Sequence, residues 1–398
     1  MGKKEESDIQ KIKLRIKNYL ELDNVSLLIG AGASFHLGAP IIRKIPQQII
    51  DDINKDKKLN KFYDEKFKAI NNSEISLEEF LNFLIAERYL LQTQKKDTEN
   101  HIKLISAIQT SLFKLCNTQN IELNKDYQED NNLKENRYFY HEKLIKKILQ
   151  RPINLKRINL FTTNYDLAFD YAFDNLGIHC INGFSGFQRR CFRPETYDYD
   201  IYYPGDTTSG KVHRAEKVIR YFKIHGSLSW VNKTPTSDNW YGIEEIIIDK
   251  EKPDNELVIY PCATKKSFAL DFPYSELFRL FSHNIKQSQT VLFCLGYSFY
   301  DEHINDIIFQ ALSIPSFTLF VIDFQQNENI KKLIELDDPR IIIITGEKAK
   351  FTNFVSEILP DLYEEKDTLK VIDTINKLKE NASNEIKNNE PKDNGVVF

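Results

Sequence analysis

A doubly wound, Rossmann-like α/β fold with a helical block inserted after its first strand is predicted by three observations. Short unbroken apolar runs recur along the chain, helix-length amphipathic segments separate them, and the first run, residues 25–29, ends in the glycine turn Gly30-Ala31-Gly32-Ala33-Ser34. Unbroken apolar runs are what strands buried on both faces look like. That burial is the condition of parallel strands joined by crossover helices.

The elements follow in order. Residues 9–22 read as an amphipathic helix leading into the strand at 25–29. After Arg43 the apolar spacing turns helical, at residues 45–53, 77–91 and 101–116. Strand character returns at residues 158–161, 218–224, 257–260, 291–295, 319–322 and 341–345, with helical segments such as 166–175 and 301–314 between them. Four regions result: residues 1–44 with the first helix and strand, a helical insertion at 45–150, the remainder of the α/β domain at 151–362, and a C-terminal helix and disordered tail at 363–398. Within the third region, residues 183–210 mix tyrosines and phenylalanines with Arg189, Arg190 and Arg193. That mixture reads as an ordered loop packing its aromatics on the domain or on a neighbouring subunit. It also suits stacking on nucleic acid, although the segment is short and locally acidic.

Bulk properties exclude several classes. The 398 residues carry a net charge of −4, which leaves no global basic footprint for nucleic acid. There is no run of apolar residues long enough to span a bilayer, and Met1-Gly2-Lys3-Lys4-Glu5-Glu6 lacks the apolar core of a signal peptide, so a cytoplasmic location is expected. Cys116, Cys180, Cys191, Cys262 and Cys294 are dispersed with no CxxC, which points to reduced thiols rather than disulfides or a thiolate zinc site.

Five motifs fall at predicted strand ends, where ligands bind in open α/β sheets. Gly30 and Gly32 lack the Cβ atoms that would hold a pyrophosphate away from backbone N–H groups, or they merely permit a tight turn. The third glycine of the dinucleotide fingerprint is absent: its place is Phe35, and the next glycine is Gly38. Thr163, Asn164 and Asp166 end the next strand, where Asn164 could hold a ribose hydroxyl or a water and where either acidic or amide side chain could instead cap a helix. His225, ahead of Gly226, sits as a general base would, or is a structural histidine. Gly296 and Ser298 form a further turn before Asp301, which is placed to cap a helix from Glu302. Asp323 closes a strand where an acid commonly meets a ribose hydroxyl.

In this order the motifs resemble the sirtuin superfamily. Gly30, Ala31, Gly32, Ser34, Gly38, Pro40 and Arg43 reproduce the sirtuin GAGxS turn and the glycine, proline and arginine that follow it. Asn164 and Asp166 fall on the TQNID motif, His225 and Gly226 on the catalytic HG, and Gly296 and Ser298 on the GTS turn, while Asp323 stands where sirtuins carry Asn. The four-cysteine zinc module of sirtuin deacylases has no counterpart, and Ile41 and Ile42 replace their Asp and Phe, which weakens a deacylase reading. The TTNYD form, the helical insertion and the GYSF-x-D ending look like the sirtuin-like effectors of bacterial anti-phage defence, which cleave NAD+ to nicotinamide and ADP-ribose. A stand-alone chain of this size is similar to those encoded with a HerA-like hexameric ATPase and DNA translocase.

The resemblance implies NAD+ as substrate and no metal, with Asn164 and His225 catalytic. It implies cofactor contacts from Gly30, Ala31, Gly32, Ser34, Pro40, Arg43, Thr163, Asp166, Gly296, Ser298 and Asp323. A homo-oligomer with the HerA-like partner and no membrane association follow, and direct nucleic-acid binding stays open. Two other readings are an idle NAD- or ADP-ribose-binding assembly scaffold and a zinc-free protein deacylase.

Overall fold

The computed structural model describes residues 2–41, 45–70, 75–205, 212–248, 257–259 and 273–362. Its strands are β1 (Asn24–Ile29), β2 (Asn159–Thr162), β3 (His179–Ile181), β4 (Phe184–Ser185), β5 (Arg190–Phe192), β6 (Tyr202–Pro204) and β7 (Val212–Arg214). The second half of the chain supplies β8 (Val218–Lys223), β9 (Gly226–Asn232), β10 (Ile243–Glu245), β11 (Leu257–Ile259), β12 (Thr290–Leu295), β13 (Thr318–Asp323) and β14 (Ile341–Thr345).

Seven of these form one parallel sheet in the order β14-β13-β12-β1-β2-β8-β3. From β1 the chain places β2 beside it, β3 at the far edge and β8 between them, and then returns to build outward on the other side, so the topological switch point lies between β1 and β12. Side chains alternate between two cores. Leu28, Phe161, Leu292 and Val321 face the helices Tyr274–Ile285, Glu302–Leu312 and Glu328–Glu335, while Leu27, Leu160, Phe293 and Phe320 face the helices Gly2–Leu20, Phe139–Ile148 and Ala168–Leu176. Register levels the strand ends: Ile29 lies opposite both Leu295 and Thr162, Thr162 opposite Lys223, and Leu295 opposite Ile322. The residues that follow these strands therefore share one edge.

The predicted strand at 257–260 is a correction. β11 does not join the parallel sheet but pairs antiparallel with β9, in a second sheet ordered β11-β9-β10-β5-β4. Only two residues separate the end of β8 from the start of β9, too few for a parallel crossover, so β9 leaves the parallel sheet and β11 pairs with it there. Residues 183–192 belong to this same sheet. Phe184 and Phe192 lie 5.0 and 6.0 Å from Trp230, and Tyr197 stacks on Phe222 at 4.1 Å. Arg189 and Arg190 pair with Glu244 and Glu245 at 2.6 and 2.7 Å, and Arg193 donates to Asp238 O. Phe184, Phe192 and Tyr197 of this segment thus pack inward and its arginines are answered by the domain's own acceptors, while Phe187, Tyr199, Tyr202 and Tyr203 are exposed.

The helices Gln47–Asn54, Lys57–Ile70, Leu77–Thr93 and Glu99–Cys116 share a core of Ile53, Phe80, Leu84 and Leu104 that leans on Leu228 and Val231 of β9. A reciprocal cap starts the third of them: Ser76 Oγ accepts from Glu79 N at 3.1 Å and the Glu79 carboxylate accepts from Ser76 N at 2.9 Å. The helix Lys57–Ile70, absent from the expected elements, carries Leu59, Phe62, Tyr63, Phe67 and Ile70 at helical spacing; Tyr63 is buried and the others pack partly buried on that core. The tail at 363–398, Arg43 and Cys262 lie outside the described residues. No helix among the described residues is long and apolar enough to cross a membrane.

Behind the turn that follows β1, His36 stacks on His141 at 5.3 Å, and Phe351 lies against both rings. None of the four ring nitrogens has a hydrogen-bond partner among the described residues. Burial, then the nearby Arg137, holds His36 down to about 3 despite an opposing pull from Asp130, and burial holds His141 well below its ordinary value. Below pH 6.5 the unfolded chain takes up these protons while the folded chain does not, so folding stability falls as the pH drops from 6.5 toward 3. At pH 5 the His36 contribution to that loss is about 2 kcal/mol. Urea unfolding of His141→Phe against the parent chain at pH 7 and pH 5 is expected to show a smaller acid loss in the variant; an equal loss would remove the histidine pair as its source.

Candidate active site at the carboxyl edge of the sheet

The predicted site residues follow five adjacent strands. Asp323 ends β13, Gly296 and Ser298 follow β12, Gly30 to Ser34 follow β1, Thr163, Asn164 and Asp166 follow β2, and His225 follows β8. They occupy the edge around the switch point, in that spatial order.

The glycine turn differs from its expected form. A seven-residue 3-10 helix, Ala31–Leu37, follows Gly30 in place of an α-helix. Gly30 N–H donates to Leu295 O at 2.9 Å and Gly32 N–H to Gly296 O at 3.0 Å. Those two donors are therefore used within the fold. What the glycines provide is backbone contact between two turns. A Cβ on Gly30 would lie 2.4 Å from Gly296 O, one on Gly32 would lie 2.8 Å from Gly296 Cα, and Gly296 itself adopts φ +61°. Gly38, at φ +89°, ends the 3-10 helix where a Cβ would meet Glu122 O at 1.9 Å. Pro40 follows, half-buried.

Ser34 links this turn to the next strand. Its hydroxyl accepts from Asn164 Nδ2 at 3.2 Å and donates to the Asp166 carboxylate. Asn164 is buried, and its own N–H donates to Thr162 Oγ1 at 3.0 Å. The capping alternative thus holds for Asp166, whose Oδ1 accepts from Ala168 N at 3.0 Å, and not for Asn164. Thr163 returns its N–H to Ile29 O at 3.0 Å. Beneath them Lys223, also buried, donates to Asp166 O at 2.6 Å and to Asp170 Oδ2 at 3.1 Å. Burial pushes the Asp166 carboxyl up, against the opposing influence of Lys223 and the bonds from Ala168 and Ser34.

His225 sits between β8 and β9 with its side chain only 8% exposed, and Gly226 behind it turns at φ +88°. Its Nε2 lies 3.1 Å from Asp301 Oδ2. Asp301 has two duties, because its Oδ1 accepts from His303 N and Ile304 N at 2.9 and 3.2 Å and so caps the helix Glu302–Leu312. Sequence reasoning found the cap and missed the histidine, since nothing local in the chain links residues 225 and 301. Ser298 Oγ donates to Asp323 Oδ2 at 2.8 Å, and Asp323 Oδ1 accepts from Gln325 N at 2.9 Å. The edge therefore carries a buried amide, an imidazole beside a carboxylate, and two further carboxylates. That set can orient a water and accept its proton. Among the described residues no three His, Cys, Asp or Glu side chains are grouped to hold a metal ion.

No curated protein matches the chain. The family model described as the SIR2-like domain matches residues 158–342, which begins at the foot of β2 and takes in Asn164, His225, Asp301 and Asp323 but not the glycine turn. Over that stretch the chain is similar to the SIR2-like domain.

Proposed function

We propose that the chain hydrolyses NAD+ to nicotinamide and ADP-ribose at this edge. One observation carries the reading: Asn164 and His225, which the motif order makes catalytic, follow the neighbouring strands β2 and β8 and are both buried beside the switch point. SIR2-like domains use NAD+ as a substrate, which sets the substrate class.

In the proposed reaction water attacks C1′ of the nicotinamide ribose, through a transition state of oxocarbenium character. The glycosidic C–N bond breaks with its electron pair leaving on nicotinamide, which departs neutral. Asn164 holds the water or the ribose, and His225 accepts the water's proton, directly or through a ribose hydroxyl. Asp301 at Nε2 keeps that nitrogen protonated and leaves Nδ1 as the base. Because Gly30 and Gly32 N–H groups are already bonded, contact with the pyrophosphate falls to Ala31 and Ser34. Asp323, with Ser298 and Gly296, takes the far side of the nucleotide, and the resemblance adds contacts from Thr163, Asp166, Pro40 and Arg43.

The same proposal includes a role as a cytoplasmic, homo-oligomeric anti-phage effector that depletes NAD+, working with a HerA-like hexameric ATPase and DNA translocase. The TTNYD and GYSF-x-D motifs support it. A second reading, an idle NAD- or ADP-ribose-binding assembly scaffold, uses the same edge without the hydrolysis.

Nicotinamide release from NAD+ tests both, measured with the purified chain alone and with the partner ATPase and DNA. Release is expected, reduced about 10²–10⁴-fold in His225→Ala and in Asn164→Ala. Unchanged turnover in either variant overturns the assignment. Thermal stabilisation by NAD+ with no release under any condition selects the scaffold.

A further inference from the structure

The opposite, amino-terminal edge of the parallel sheet holds a cavity of about 210 Å³. It is lined by the first residues of β1 and β2, by Arg220 and Phe222 of β8, by the turn Pro194–Asp198 and by the helix Tyr274–Ile285. Its size is below the roughly 300–1,000 Å³ of drug-sized sites and suits a smaller metabolite.

The charges around it are unevenly matched. Asp200 answers two arginines, Arg157 at 2.9 Å and Arg214 at 2.7 Å. Arg220 has no ion pair among the described residues, and its Nη2 makes only a 3.4 Å bond to Tyr199 O. Its buried Nε has no hydrogen-bond partner among them. Lys156 adds a further cation to the lining. Burial and the neighbouring arginines disfavour the charged form of Arg220, against Asp200 and Asp198, as is expected of a guanidinium lacking a partner of its own.

Unmet acceptors stand beside the unmet donor. Asn159, nine-tenths buried, donates through Nδ2 to Asn284 Oδ1 at 3.1 Å, while its Oδ1 is buried with no donor among the described residues. The carboxylates of Asp23 and Asp198 also line the cavity. A bare anion would satisfy Arg220 and Lys156 but be repelled by those carboxylates. A molecule with an anionic end and several hydroxyls satisfies both sets, because carboxylates and amide oxygens accept from hydroxyls.

We propose that this cavity binds a small sugar phosphate, its phosphate on Arg220 and Lys156 and its hydroxyls on Asn159, Asp23 and Asp198. The site is separate from the carboxyl edge and independent of the reaction proposed there. It also gives the turn Pro194–Asp198, within the aromatic and arginine-rich segment, a part in ligand binding.

Calorimetric titration of the full chain with ribose 5-phosphate, ribose and inorganic phosphate tests it. Saturable binding of ribose 5-phosphate is expected, with ribose silent and inorganic phosphate weaker. Arg220→Gln is expected to weaken binding about tenfold or more, as loss of a charge-assisted bond does. Lys156→Ala, on a more accessible side chain, supplies the same readout if Arg220→Gln fails to fold. Asn164→Ala is expected to bind ribose 5-phosphate as the parent chain does. No saturable binding, parental affinity in the folded arginine or lysine variant, inorganic phosphate as tight as ribose 5-phosphate, or loss of binding in Asn164→Ala overturns the proposal.

Discussion

Asp301→Asn is expected to lower the turnover of nicotinamide release about 10²–10⁴-fold while leaving the fold and the KM for NAD+ close to those of the parent chain. The reasoning starts from the helix cap. Asn caps helices as well as Asp does, so the bonds from His303 N and Ile304 N to Oδ1 survive. With Oδ1 committed to the cap, the atom left facing His225 Nε2, where Oδ2 stood at 3.1 Å, is an N–H donor. His225 must then accept at Nε2 and carry its proton on Nδ1, and the nitrogen needed as base is no longer basic. A purely structural role for Asp301 would leave turnover intact in this variant, because shape and cap are both kept. Turnover within threefold of the parent, at an unchanged thermal midpoint, would sink the tautomer assignment.

Gly296→Ala is expected to be strongly destabilising for the change of a single methyl. Two independent costs add. The residue sits at φ +61°, where an L side chain costs roughly 1–2 kcal/mol. Its Cβ would lie 2.7 Å from Gly32 Cα and 2.8 Å from Ala33 N, both backbone atoms, and overpacking of that kind costs about 1–3 kcal/mol more. A total of about 2–5 kcal/mol follows from these two ranges. Denaturant unfolding measures it directly. A change below about 1 kcal/mol, the centre of ordinary point substitutions, would mean that the two turns can separate without penalty.

Much of the parallel sheet was legible because its central strands are buried on both faces, so that runs such as Val291 to Leu295 and Leu319 to Ile322 stay apolar without alternation. The antiparallel sheet was not. Its strands span two to seven residues, and β5 pairs with β10 across more than fifty residues, so no local pattern announces it. For the site, the order of the strand ends was legible from the glycine and polar residues that terminate each apolar run. What could not be read was the second use of each group. The N–H groups of Gly30 and Gly32 turned out to be bound to the β12 turn, Ser34 to bridge Asn164 and Asp166, and Asp301 to serve His225 as well as its own helix. Each of these partnerships joins residues separated by more than seventy positions, and each depends on the strand order rather than on any spacing within one segment.

The bonded pair of turns at the switch point has a mechanical consequence. Because Gly30 and Gly32 are tied through their backbones to Leu295 and Gly296, the central wall of the crevice moves as one body. A nucleotide cannot be admitted by prising that wall apart without breaking main-chain bonds in the middle of the sheet. The bonded turns thus fix the middle of the edge, while its flank at Asp166 and His225 is held to the inserted helices by the side-chain packing of Leu167 and Leu228.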